Sequence, residues 1–137
     1  MIREEIVKLT GKAIKNLQKE GVFPAFKVPE ILIEHPENEL YGDYSTNVAL
    51  KIAKLAKKSP MEIAELLSKK LEAQGPKLFT KIKIAKPGFI NFFFSKEYLQ
   101  NQVERILKEK DNFGQLDIGK DKKVQVEFIS ANPTGPL

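Results

Sequence analysis

The amino-acid sequence predicts an α+β fold: a small, mostly antiparallel β-sheet with helices packed on one face, a two-layer α/β sandwich. Three observations carry this. Apolar residues recur at helical spacing in four separate segments. Two strand-like runs flank Lys86-Pro87-Gly88, a turn sequence of hairpin type. The resulting order of helix, strand, helix, helix, hairpin and helix implies helices packed on one face of a small, mostly antiparallel sheet.

The elements follow in order. Ile2, Ile6, Leu9, Ala13, Ile14 and Leu17 form one helical stripe, with Lys8, Lys12, Lys15 and Lys19 largely elsewhere, and Gly21 ends the helix. After Pro24 and Pro29, Ile31 to Ile33 reads as a short strand stopped by His35-Pro36. A loop with Asn38, Gly42 and Asp43 follows, and Ser45, Thr46 or Asn47 caps a helix whose apolar face is Val48, Ala49, Ile52, Ala53 and Ala56. Ser59-Pro60-Met61-Glu62 has the form of a capping box with Pro at the first helical position, and Ile63, Leu66, Leu67 and Leu71 make the buried stripe behind it. Leu78 to Ala85 and Phe89 to Phe94 pair as the hairpin. Ser95 caps a last helix built on Tyr98, Leu99, Val103, Ile106 and Leu107. The domain then ends: residues 1–110 form it, 111–122 are a polar linker with Gly114 and Gly119, and Lys123 to Ile129 alternates as the first strand of a second domain.

Composition narrows the function. The 137 residues suit one ordinary domain and a piece of another, with 42% hydrophobic and 30% charged side chains, as a packed soluble fold requires. Without cysteine there is no disulfide, thiolate metal site or cysteine nucleophile, and the single His35 excludes any site needing two imidazoles. The N-terminus is charged from Arg3 onward and no apolar run spans a bilayer, so a cytoplasmic, membrane-free protein is expected. Charge is uneven. Residues 1–43 carry 6 basic and 8 acidic side chains, residues 44–110 carry 14 and 6, and residues 111–137 carry 3 and 4. A basic middle attracts polyanions, nucleic acid first among them, although a solvated lysine surface has the same composition.

Three constellations could carry chemistry. Alternation along Phe89 to Phe94 sends Ile90, Phe92 and Phe94 to the dry face and Phe89, Asn91 and Phe93 to the open one, beside Lys81, Lys83 and Lys86. Rings stack on unpaired bases, an amide reads a base edge and lysines hold phosphates. On these residues alone, the phenylalanines could equally be core and Asn91 a partner for backbone. Tyr41-Gly42-Asp43-Tyr44-Ser45-Thr46-Asn47 supplies a tight turn and a helix cap. With Lys51, Lys54 and Lys58 on the helix behind it, it could also hold a phosphate. Finally, Val124 to Leu137 is a strand running into a Gly/Pro turn, where open α/β sheets bind ligands. Glu127, Ser130 and Asn132 there suit a guanidinium or ammonium group.

Val126-Glu127-Phe128-Ile129-Ser130-Ala131-Asn132-Pro133-Thr134-Gly135-Pro136-Leu137 resembles the segment leading into the first signature motif of bacterial arginyl-tRNA synthetases. Tyr41 to Asn47 and Pro87-Gly88-Phe89-Ile90-Asn91-Phe92 resemble two stretches of that family's N-terminal additional domain, in the same order. The resemblance implies a parent enzyme that joins arginine to tRNA(Arg) through an arginyl-adenylate, using ATP and Mg²⁺. It implies an arginine pocket with Glu127, Ser130 and Asn132, and the start of the class I signature region over Ala131 to Leu137. It also implies a tRNA D-loop or elbow contact at Phe89 and Asn91, supported by Lys81, Lys83 and Lys86. The signature histidines and the Lys-Met-Ser-Lys loop are missing, so these 137 residues are expected to be an inactive fragment with no catalytic residue, bound metal or cofactor of its own, monomeric and without a DNA partner. A stand-alone RNA-binding module and a structural spacer are the rival readings.

Overall fold

The structure, a computed structural model, describes residues 2–74 and 78–115 and, beyond them, positions 119, 123 and 125. The chain divides into two compact units, residues 1–103 and 104–137. The elements are α1 (Ile2–Lys19), a 3₁₀ turn (Glu39–Tyr41), β1 (Tyr44–Thr46), α2 (Val48–Ala56), α3 (Pro60–Gln74), β2 (Phe79–Ala85), β3 (Phe89–Phe94), α4 (Lys96–Glu109) and a second 3₁₀ turn (Lys110–Asn112). The expected α+β class is the observed one, with a three-stranded antiparallel sheet in the order β1-β3-β2.

Helix placement follows the stripes. In α1, Ile6, Thr10, Ala13, Ile14 and Leu17 are buried while Lys8, Lys12, Lys15 and Lys19 stay exposed. Helix α3 is the hub, touching α1, α2, β2 and β3, and it buries Ile63, Ala64, Leu67, Ser68 and Leu71. Its start is fixed by Ser59, whose hydroxyl accepts the Glu62 N–H at 3.2 Å. The capping box is only half made, because the Glu62 carboxylate turns to Lys58 at 2.7 Å. Helix α2 is capped by Thr46, whose Oγ1 accepts the Val48 N–H at 3.3 Å, and Asn47 makes no side-chain cap.

The hairpin forms as expected, and its turn is set by a close approach. At Gly88, φ is +152° and a Cβ would lie 2.7 Å from Pro60 Cβ at the start of α3, so only glycine lets the turn sit on the helix. On the inner face, Ile90, Phe92 and Phe94 pair with Ile84, Ile82 and Phe79 across the β2 ladder. Phe92 is fully buried, with the Phe79 ring 5.1 Å away.

Two expectations need correction. Ile31 to Ile33 is not a strand: among the described residues, the only pairing beside it is one bridge of the next residue, Glu34 to Ser45. A longer ladder would set Leu32 opposite Asn47, where the chain already turns into α2, and the Leu32 carbonyl accepts the Thr46 hydroxyl at 2.8 Å. The strand that does form is β1, in the stretch expected to be loop and cap. Second, α4 forms over the expected residues but buries none of them, and Leu99, Val103, Ile106 and Leu107 are all exposed. Within that helix Tyr98 alone packs against the core, stacked on Phe94 at 5.3 Å. The strand expected over 123–129, of which only 123 and 125 are described, and the turn over 130–137 lie outside the described residues, and with them Glu127, Ser130, Asn132 and the Ala131 to Leu137 signature region.

Candidate nucleic-acid interface

With the helices on one side of the sheet, the other side of β3 presents Phe89, Asn91 and Phe93. Pairing extends this face outward in rows. Asn91 sits between Lys83 of β2 and Ser45 of β1, Phe93 lies beside Lys81, and Phe89 lies beside Ala85. Lys81 Nζ is 4.6 Å and Lys83 Nζ 5.5 Å from the centroid of the Phe93 ring, near enough for cation–π attraction. Both lysines remain exposed at the surface, as phosphate contacts require.

The segment Gly42 to Thr46 runs along this strand residue by residue. Gly42 has φ +91°, and a Cβ there would stand 2.6 Å from the Phe92 carbonyl oxygen, so a side chain would push the segment off β3. Asp43 continues the contact beyond the three residues of β1. Its N–H donates to the Phe92 carbonyl at 2.9 Å, and its carboxylate accepts the Phe94 N–H at 2.8 Å. The Tyr44 ring meets Phe94 edge-on at 5.6 Å and lies against His35 at 4.1 Å. His35 Nδ1 is 2.8 Å from the Asp43 carbonyl, and a carbonyl only accepts, so Nδ1 carries the proton. The Ser45 hydroxyl donates to Asn91 Oδ1 at 2.7 Å.

Between this segment and the hairpin lies a groove of about 490 Å³, within the roughly 300–1,000 Å³ of small-ligand pockets. His35, Pro36 and Tyr41 line it from the loop, Phe89 and Lys86 from the hairpin, and Ser45 and Asn91 from the sheet. Phe89 is 37% exposed and Tyr41 52%, so flat apolar surface is available to a planar ligand. Glu34 also lines the groove, which disfavours a phosphate inside it and leaves phosphates to the lysines of β2.

Of the residues singled out from sequence, Phe89, Asn91 and Lys86 come together in this groove, while Lys81 and Lys83 lie on the same face around Phe93. One detail differs: Asn91 is on the expected face yet only 3% exposed, because neighbouring side chains and the Ser45 hydrogen bond enclose it. It is the floor of a groove, not a projecting group. The α2 lysines are partly committed elsewhere, since Lys51 donates to the Glu30 carbonyl at 3.2 Å and Lys58 pairs with Glu62. Sequence reasoning gave His35 no role at the site and read Tyr41 and Ser45 only as part of a turn-and-cap segment that could hold a phosphate. The available signal was the density of Gly, Asp and Ser in Tyr41 to Asn47, more than two helix caps need.

Comparison with known proteins gives the following. A family model described as the arginyl tRNA synthetase N terminal domain matches residues 2–94. An arginine–tRNA ligase of Acetivibrio thermocellus is 41% identical over 136 residues, covering 99% of this chain and 24% of that protein. One from Listeria welshimeri is 44% identical over 137 residues, covering 100% and 24%. The chain therefore spans about a quarter of the length of these curated relatives. The crystal structure of arginyl-tRNA synthetase from Plasmodium falciparum superposes with a TM-score of 0.62 over 77% of this chain and 18% of that one, at 23% identity, a likeness of fold.

Proposed function

This chain belongs to the family of arginyl-tRNA synthetase N-terminal domains, and from that premise we propose that it is the part of an arginine–tRNA ligase that takes hold of the tRNA elbow. In this reading an unpaired D-loop base enters the groove, stacks on Phe89 and is recognised by Asn91, while Lys81, Lys83 and Lys86 hold the flanking phosphates. The observation that supports it best is that a part-exposed aromatic ring and a carboxamide share one groove, on the sheet face that the helices leave open and beside exposed lysines.

Joining arginine to tRNA, with ATP and Mg²⁺ and through an arginyl-adenylate, is the proposed work of the whole ligase. Among the described residues no three His, Asp or Glu side chains gather as a candidate metal site. Glu127, Ser130 and Asn132 are proposed as one wall of the arginine pocket, and Glu127→Gln in the full-length ligase is expected to raise KM for arginine with tRNA affinity unchanged. Among the described residues no helix is long and apolar enough to cross a membrane.

The test of the tRNA contact is to place Phe89→Ala and Asn91→Ala separately in the full-length ligase and measure the affinity and charging of tRNA(Arg). Loss of one stacked base is worth about 1–3 kcal/mol, roughly 5- to 150-fold in affinity. Binding and charging at wild-type levels in both variants would remove the proposal.

A further inference from the structure

The proposed contact raises a question of polarity, because a carboxamide can offer either its –NH₂ or its carbonyl to a base. Here the carbonyl side is engaged: the Ser45 hydroxyl donates to Asn91 Oδ1 at 2.7 Å across the β1–β3 pair. Asn91 Nδ2 has no partner in the protein among the described residues. Among the described residues the buried side-chain polar atoms without one are Thr10 Oγ1, Asn47 Oδ1, Ser68 Oγ and Gln74 Oε1, and Asn91 Nδ2 is not one of them. The opening that Asn91 lines is the groove, which Ser45 lines too.

We infer that Ser45 is a positioning residue that sharpens base specificity: its hydroxyl holds the Asn91 amide by Oδ1 at the groove floor, in the orientation that offers –NH₂ to a base edge with a hydrogen-bond acceptor. This rests on the tRNA reading above. Ser45 is placed for the task by register, since it is the β1 residue opposite Asn91, while Tyr44 and Thr46 on either side of it pair with the inward-facing Phe92 and Ile90. Without the hydroxyl the amide loses the hydrogen bond that holds it at the groove floor, and its discrimination between base edges weakens.

The experiment uses full-length ligase with tRNA(Arg) transcripts whose unpaired D-loop bases are changed one at a time, and follows kcat and KM. Wild-type enzyme is expected to tolerate changes that keep an acceptor at the sensitive position and to reject those that present a donor. Ser45→Ala is expected to shrink that discrimination by about two- to tenfold, the worth of one neutral hydrogen bond, mainly through KM. Ser45→Thr, which keeps the hydroxyl, restores it. In an Asn91→Ala background Ser45→Ala has no further effect, whereas a purely structural role gives additive losses. Additive losses, or full discrimination in Ser45→Ala where Asn91→Ala has abolished it, overturn the inference and leave the tRNA contact standing. Full discrimination in Asn91→Ala takes down both. Melting curves of each variant separate misfolding from altered recognition.

Discussion

The two faces of β3 are built from the same few residue types and live under opposite constraints. Ile90, Phe92 and Phe94 are buried at 0%, 0% and 8% exposure against the helices, while Phe89 and Phe93, one position out of phase, keep part of their rings in solvent. A phenylalanine on the inner face acts by filling space. On the outer face it leaves flat surface open, so side-chain identity alone does not separate core residues from candidate-site residues, and strand phase does.

The largest effect expected from this contrast is at Phe92. Phe92→Ala opens a void beneath Phe79 and should cost about 3–5 kcal/mol in urea denaturation of this chain. Gly42→Ala comes next. It forces a Cβ to within 2.6 Å of a backbone oxygen at a positive φ, and a loss of more than about 2 kcal/mol in the same measurement is expected. The outer face should respond in the opposite sense. Phe89→Leu is expected to change folding stability by under about 1 kcal/mol while weakening tRNA binding by about that amount or more, measured by filter binding. An equal loss of stability in Phe92→Ala and Phe89→Ala would erase the distinction between the faces. The smallest effect is that of a lysine. Lys81→Ala or Lys83→Ala should each reduce the slope of log affinity against log salt by about 0.7–0.9, with no change in melting temperature.

The sequence showed the local elements well and the long-range ones poorly. Helices α1, α2 and α3 were legible because their stripes and their Ser59 and Thr46 caps are encoded within a turn or two of chain. The hairpin was legible from Pro87-Gly88 and from alternation. Strand β1 was not, because Tyr44 to Thr46 has no signal of its own and is made a strand by Asn91 and its neighbours 46 positions away. Ile31 to Ile33 carried the stronger propensity and lost, since the residue a longer ladder would set opposite Leu32 is Asn47, where the chain already turns into α2. Helix α4 shows the limit of periodicity: the stripe Leu99, Val103, Ile106 and Leu107 specifies a helix but not what covers it. At the site, phase along β3 placed Phe89 and Asn91 on the correct face. The depth of Asn91 and the part played by Ser45 depend on a neighbouring strand that the sequence did not declare.

The fastening of Gly42 and Asp43 to the backbone of Phe92 and Phe94 has a consequence for energetics. One side of the cleft is bolted to its own base, so its width is set during folding and not by the guest. In the proposed tRNA contact, a nucleotide would then lose little free energy to ordering that wall, so small differences between bases would translate almost undiminished into differences in residence time.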